Sequence, residues 1–147
     1  YPDPYQRELK NSIGKVKSID PEQLFLGNGS DECIYLLYRC FCEPGKDNVI
    51  ICQPTYGMYE VSAGINNVEL RKAALLPDFQ LDLDAIVSLI DTQTRLIWIC
   101  SPNNPTGNSI RYQDIETLLN NFNGIVVVDE AYINFSRQRS LATELKE

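Results

Sequence analysis

No histidine occurs among the 147 residues. That absence excludes Ser-His-Asp and Cys-His catalysis, histidine metal sites and histidine proton shuttles. No apolar run approaches the ~20 residues that span a bilayer, and no basic-then-apolar leader pattern stands at Tyr1. A membrane partner is not expected. Basic residues are in the minority, 13 against 20 acidic, for a net charge of −7. Nucleic acid is not expected either, because its binders need a basic face. The five cysteines are odd in number, and no pair has Cys-x-x-Cys spacing. A zinc or disulfide framework therefore has no support, and a reducing, cytoplasmic location is expected.

What the chain does have is an ordinary core composition: 44% hydrophobic, 10% aromatic and 22% charged residues. Its length suits one domain. It opens at Tyr1 in a proline-rich stretch without methionine and closes at Glu147 in a helix-like pattern. The expectation is a piece of a longer protein, with 1–147 forming part of one domain.

Helical and extended patterns alternate along the chain. Helices are predicted over 4–17, 30–42, 55–65, 83–90 and 112–122, from apolar spacing and breakers such as Pro44-Gly45. The first would present Leu9, Ile13 and Val16 on one face. The second would be capped by Ser30 and would bury Cys33, Ile34, Leu37, Cys40 and Phe41. Strands are predicted at 23–26, 48–52, 67–73, 96–100 and 125–128. Runs such as Leu96-Ile97-Trp98-Ile99-Cys100 are apolar on both faces, which marks a buried parallel sheet covered by helices on each side. The expected fold class is α/β, a three-layer α/β/α sandwich with a mostly parallel sheet.

Ligands of such sheets bind at the carboxyl ends of the strands. There the sequence places its polar punctuation: Gly27–Glu32, Pro54–Tyr56, Ser101–Gly107 and Asp129–Tyr132. Gly27-Asn28-Gly29-Ser30 at a helix start suits an anion, although a plain Gly-rich turn has the same wording. Tyr56 suits a flat ligand ring or a core position equally. Tyr59 reads as packing. Asn103-Asn104-Pro105-Thr106-Gly107 is either a proline turn or a source of amide donors. Asp129, closing a triple-valine strand, is either a solvated end or an acid beside a cation.

Together, Gly29-Ser30-Asp31-Glu32, Pro54-Thr55-Tyr56, Asn104-Pro105-Thr106-Gly107 and Asp129-Glu130-Ala131-Tyr132 resemble the large domain of fold-type-I, pyridoxal-phosphate-dependent aminotransferases, in family order. Tyr1-Pro2-Asp3, Phe41-Cys42-Glu43-Pro44-Gly45 and Pro54-Thr55-Tyr56-Gly57-Met58-Tyr59 narrow the resemblance to the histidinol-phosphate aminotransferase branch. The resemblance implies pyridoxal 5′-phosphate as cofactor. It implies that backbone N–H groups of Ser30 and Asp31 hold the phosphate and that Tyr56 stacks on the ring. Asn104 and Tyr132 would bond the phenolic oxygen, and Asp129 would pair with the pyridine nitrogen. Tyr1 would reach the cofactor of the other subunit, implying a homodimer. An amino donor and a 2-oxo acid would be the small-molecule partners.

The family also uses a Schiff-base lysine in a Ser-Lys motif. None of Lys10, Lys15, Lys17, Lys46, Lys72 and Lys146 stands in one. The resemblance thus implies the front part of a large domain, cut short before its covalent centre and inactive alone. The alternatives are another amino-acid aminotransferase, an amino-acid-phosphate decarboxylase of the same fold, or a non-catalytic binding module that keeps the fold.

Overall fold

The computed structural model describes residues 2–144. Four strands form one all-parallel sheet: β1 (Asn48–Gln53), β2 (Glu69–Ala74), β3 (Thr94–Cys100) and β4 (Ile125–Asp129), in the order β2-β1-β3-β4. Five helices of more than one turn accompany them among the described residues: α1 (Arg7–Lys17), α2 (Ser30–Phe41), α3 (Met58–Ile65), α4 (Leu83–Ser88) and α5 (Tyr112–Asn121).

The pleat sends alternate residues of the central strands to opposite faces. Val49, Ile51, Leu96, Trp98 and Cys100 face Ile34 and Tyr38 of α2 and Tyr59 and Ala63 of α3. Ile50, Cys52, Ile97 and Ile99 face Ile86 of α4 and Ile115 and Leu118 of α5. The fold is therefore the expected α/β/α sandwich. The sheet is built outward from β1, first to β2 and then across to β3 and β4. This reversal leaves a crevice at the carboxyl ends of β1 and β3, the switch point where such sheets bind ligands.

Several sequence expectations are corrected. Residues 23–26 form no strand; a single 3₁₀ turn, Pro21–Gln23, leads into irregular chain that pairs with no strand of the sheet. The first and third helices begin three residues late, at Arg7 and Met58, and α4 ends at Ser88. The α1 stripe is uncovered, with Leu9 54% and Val16 81% exposed. On α2 the buried side is Ile34 and Tyr38; Cys40 is exposed and Phe41 is 47% exposed. Leu119 of α5 also faces outward. All five cysteines are free. Among the described residues no helix is long and apolar enough to cross a membrane.

A charged pair anchors the amino end of the sheet. The Asp47 carboxylate is buried and its Oδ2 accepts from Arg95 Nε at 3.0 Å and from the Glu43 N–H at 2.8 Å. The Arg95 guanidinium, followed by the Glu43 N–H, holds this carboxyl below its usual value against the opposing effect of burial. A lowered folded-state pKa gives stability that is complete above about pH 4 and lost as the pH falls further. Asp47→Asn should lower the melting temperature at pH 7 by about 3–6 °C, corresponding to about 1–2 kcal/mol. The gap between variant and parent should narrow as the pH falls below about 4. An equal gap at pH 7 and pH 3 would count against an ionic role.

One edge of β4 has no strand partner among the described residues. An unpaired apolar edge invites strand pairing on contact, whereas the repulsion of a net charge of −7 is screened within about 8–10 Å at physiological salt. Light scattering on the 147-residue chain should give masses above 16.7 kDa. A monomer at all concentrations would show that the edge is protected.

Candidate functional site

The polar loops do meet at the carboxyl edge. A cavity of about 120 Å³ is lined by Ser30, Tyr56, Cys100, Asn104, Asp129, Ala131 and Tyr132. A second hollow of about 260 Å³, sharing Asn104 and Tyr132, extends past Pro105, Gly107 and Phe135.

The lining residues arrive from four places: the start of α2, the loop after β1, the end of β3 with its loop, and the end of β4 with its turn. Ser30 is the first residue of α2. Gly29 before it has φ +83°, a conformation that L side chains rarely adopt. Sequence reasoning made Ser30 a cap, but no side chain caps this helix in that way. Instead Glu32 turns back and accepts from the Asn28 N–H and, at 3.1 Å, from Asn28 Nδ2. The side chain that bends over the loop is thus Glu32, and the Ser30 end of α2 stays open to the cavity. The positive end of the helix dipole there favours an anion.

Tyr56 follows β1 and is half-buried. Its hydroxyl donates to Asp31 Oδ1 at 3.1 Å. That hydrogen bond, first, and the Asp31 and Asp129 charges raise the Tyr56 pKa, so the phenol stays protonated. Asp31 itself does not line the cavity; its carboxylate is engaged by Tyr56 at the rim.

Two asparagines divide the work after β3. Asn104 lines the cavity. Asn103 is 4% exposed and ties two loops together. Its Nδ2 donates to the Pro54 carbonyl at 2.8 Å and to Thr106 Oγ1 at 2.7 Å, and its Oδ1 accepts from Thr55 Oγ1 at 3.0 Å. The loop carrying Tyr56 is therefore fastened to the loop carrying Asn104.

Asp129 ends β4 beside Cys100 of β3, its partner in register. Both carboxylate oxygens are engaged: Oδ2 accepts from Tyr59 Oη at 2.7 Å and Oδ1 from the Ala131 N–H at 3.0 Å. No ion pair among the described residues includes Asp129. Tyr132, 47% exposed, stands at the mouth.

These features have counterparts among known proteins. The family model for aminotransferase class I and II matches residues 1–146. The chain belongs to the class I and II aminotransferases. The histidinol-phosphate aminotransferase of Bacteroides fragilis is 51% identical over 145 residues, 99% of this chain and 42% of that protein. Its counterpart in Cytophaga hutchinsonii is 54% identical over 136 residues, 92% of this chain and 39% of that one. The chain spans about two fifths of the length of these curated relatives. A crystal structure of a putative histidinol-phosphate aminotransferase from Erwinia carotovora atroseptica superposes with a TM-score of 0.83 at 24% identity, over 95% of this chain and 42% of that one. That likeness is one of fold.

Within this aminotransferase chain, Ser30, Tyr56, Asn104, Asp129 and Tyr132 share one cavity, whereas Asp31 stands outside it and Tyr1 lies outside the described residues. The sequence reading gives Tyr59 to packing, Cys100 to an apolar strand and Asn103 to the same motif as Asn104; only the contact with Pro54 separates the roles of the two asparagines.

Asn103→Ala would leave the Thr55 and Thr106 hydroxyls and the Pro54 carbonyl without this partner. Such losses cost about 2–3 kcal/mol when buried. The expected drop in melting temperature is about 4–9 °C, whereas Asn104→Ala should change it by less than half as much. Equal effects would refute the division of labour.

Proposed function

We propose that residues 1–147 are part of the cofactor-binding domain of a pyridoxal-5′-phosphate-dependent transaminase. The substrates proposed are histidinol phosphate and 2-oxoglutarate, interconverted with imidazole acetol phosphate and glutamate in histidine biosynthesis. The observation that carries the reading is the single cavity joining the Ser30 end of α2, the Tyr56 ring, Asn104, Tyr132 and the Asp129 carboxylate. Relatives named histidinol-phosphate aminotransferase, at 51–54% identity, support the substrate choice over other transaminases and decarboxylases of the fold.

The donor set fits a phosphorylated pyridine. Ser30, at the open helix start, would hold the phosphate through main-chain N–H groups, with the Asp31 N–H as its neighbour. Tyr56 would cover one face of the ring. Asn104 and Tyr132 would donate to a ring oxygen. Asp129, a carboxylate with no cationic partner, would hold a proton on the ring nitrogen. When bound, the cofactor would supply an electron sink for the carbanion at the substrate Cα. The protein's own part is to keep that nitrogen charged, to orient the ring and to exclude water.

No lysine lines the cavity among the described residues. Lys46 pairs with Glu43 in a turn, and Lys72 pairs with Glu60 on β2. The chain alone would therefore hold the cofactor without a covalent bond and would be inactive. The full protein would be a cytoplasmic homodimer in which Tyr1 reaches the partner's cofactor.

Binding of pyridoxal 5′-phosphate to the chain should be measurable by absorbance or tyrosine fluorescence. Asp129→Ala should weaken it by about ten-fold or more, the scale of a lost charge-assisted bond. Borohydride treatment and peptide mapping should find no stoichiometric pyridoxyl group on any of the six lysines. A single fully labelled lysine, or equal affinity in Asp129→Ala, would overturn the assignment.

A further inference from the structure

Tyr59 is fully buried on the first turn of α3, yet its hydroxyl meets a carboxylate. It donates to Asp129 Oδ2 at 2.7 Å, while the Ala131 N–H takes Oδ1. The ring cannot wander. It stacks on Trp98 at 4.9 Å and 19°, and it meets Tyr56 edge-on at 5.7 Å and 84°. Its own main-chain carbonyl accepts from Tyr38 Oη at 2.8 Å.

We propose that Tyr59 is the positioning residue of the site: its hydroxyl sets the rotation of the Asp129 carboxylate, and with it the edge that the carboxylate presents to the cavity. This deepens the cofactor reading and rests on it for the identity of the ring that Asp129 would serve. Burial, first, and then the Cys100 and Asp129 charges raise the Tyr59 pKa. The hydroxyl is therefore a donor at every working pH. A tyrosine kept only for packing has no use for that bond. Tyr38 in the same stack spends its hydroxyl on a carbonyl.

The titratable groups around Asp129 come from each neighbouring element. They are Cys100 on β3, Tyr59 on α3, Tyr56 after β1 and Tyr132 after β4. Burial, first, raises the Cys100 thiol. Asp31 stands beyond Tyr56, whose hydroxyl it accepts at 3.1 Å, so the Asp31 and Asp129 signals are assigned separately.

The test uses the full chain with ¹³C-carboxyl-labelled aspartate and ¹³Cζ-labelled tyrosine, followed by NMR at pH 7, in the parent, Tyr59→Phe and Tyr38→Phe. Both variants lose one buried hydroxyl from one stack. In Tyr59→Phe the assigned Asp129 carboxyl signal should move, and pyridoxal 5′-phosphate should bind about ten-fold more weakly, the scale of a lost charge-assisted bond. In Tyr38→Phe, whose hydroxyl reaches only the Tyr59 carbonyl, both changes should be smaller. An Asp129 signal unmoved in Tyr59→Phe, or moved equally in Tyr38→Phe, overturns the proposal. In Asp129→Asn the Tyr59 ¹³Cζ signal should move and the Tyr38 signal should not; a still Tyr59 signal would overturn the proposal even where Tyr59→Phe fails to fold. If the parent chain does not bind the cofactor, the functional reading falls. The Asp129 signal then still decides the role of Tyr59, so the two failures are distinct.

Discussion

The fold and its site both hang on Trp98. Its ring, on the central strand β3, is 1% exposed and lies between Tyr38 at 5.5 Å and Tyr59 at 4.9 Å. Each stacked pair is worth about 0.5–1.5 kcal/mol beyond the area it buries. The energy matters less than what the pairs join. Tyr38 belongs to α2, whose first residue is Ser30. Tyr59 belongs to α3, which begins just after Tyr56. One indole thus sets where both helices stand on the sheet, and with them the helix end and the ring that face the cavity. A sheet buried on both faces has nowhere else to put polar groups. Strand ends carry them, and the β1/β3 reversal gathers the ends of three strands around one hollow.

The frame of the site is made from near-duplicates of the residues that face it. Asn103 and Asn104 are adjacent, Tyr56 and Tyr59 are three residues apart across the start of α3, and in each pair one member lines the cavity while the other binds protein. This follows from local geometry. A residue aimed at a ligand has neighbours aimed away from it, and in a tight loop those neighbours meet other loops. Asn103 reaches Pro54, and Tyr59 reaches Asp129. The lining residues are then held by groups whose own rotamers are fixed by packing, the condition for a site tight enough to select one ligand.

The sheet was legible in the sequence because its strands are apolar on both faces. Val49–Cys52, Leu96–Cys100 and Ile125–Val128 have no other economical use. The convergence of the loops after β1, β3 and β4 followed from strand polarity; the Gly27–Glu32 loop joins them with no strand before it. What failed depended on partners. Residues 23–26 have strand-like wording, but a strand exists only where a neighbour supplies hydrogen bonds, and none among the described residues does. The apolar stripe of α2 reads as buried because periodicity reports which face is apolar, never whether anything covers it. Phe25, Cys33, Leu37, Cys40 and Phe41 instead line an open hollow of about 420 Å³. Tyr59 was read as packing, and it does pack. Its second role depends on a contact 70 residues away in sequence, which no local pattern carries.

The electrostatics of the cavity give it a direction. At the α2 end the open first turn offers the positive end of a helix dipole, worth about 0.3–1 kcal/mol to an exposed anion and up to ~2 when partly buried. Asp31, the nearest carboxylate to that end, is occupied by Tyr56. At the β4 end Asp129 has two hydrogen-bond donors and, among the described residues, no cation. Hydrogen bonds do not neutralise a carboxylate, so it continues to attract positive charge. A ligand with an anion at one end and a protonated ring nitrogen at the other matches both ends in one orientation. Reversed, it would set anion against carboxylate and cation against the dipole, and both terms would change sign. Orientation is therefore decided before any shape contact is made. Because Tyr59 and Ala131 hold Asp129 from the protein side, the carboxylate cannot swing round to satisfy the wrong orientation.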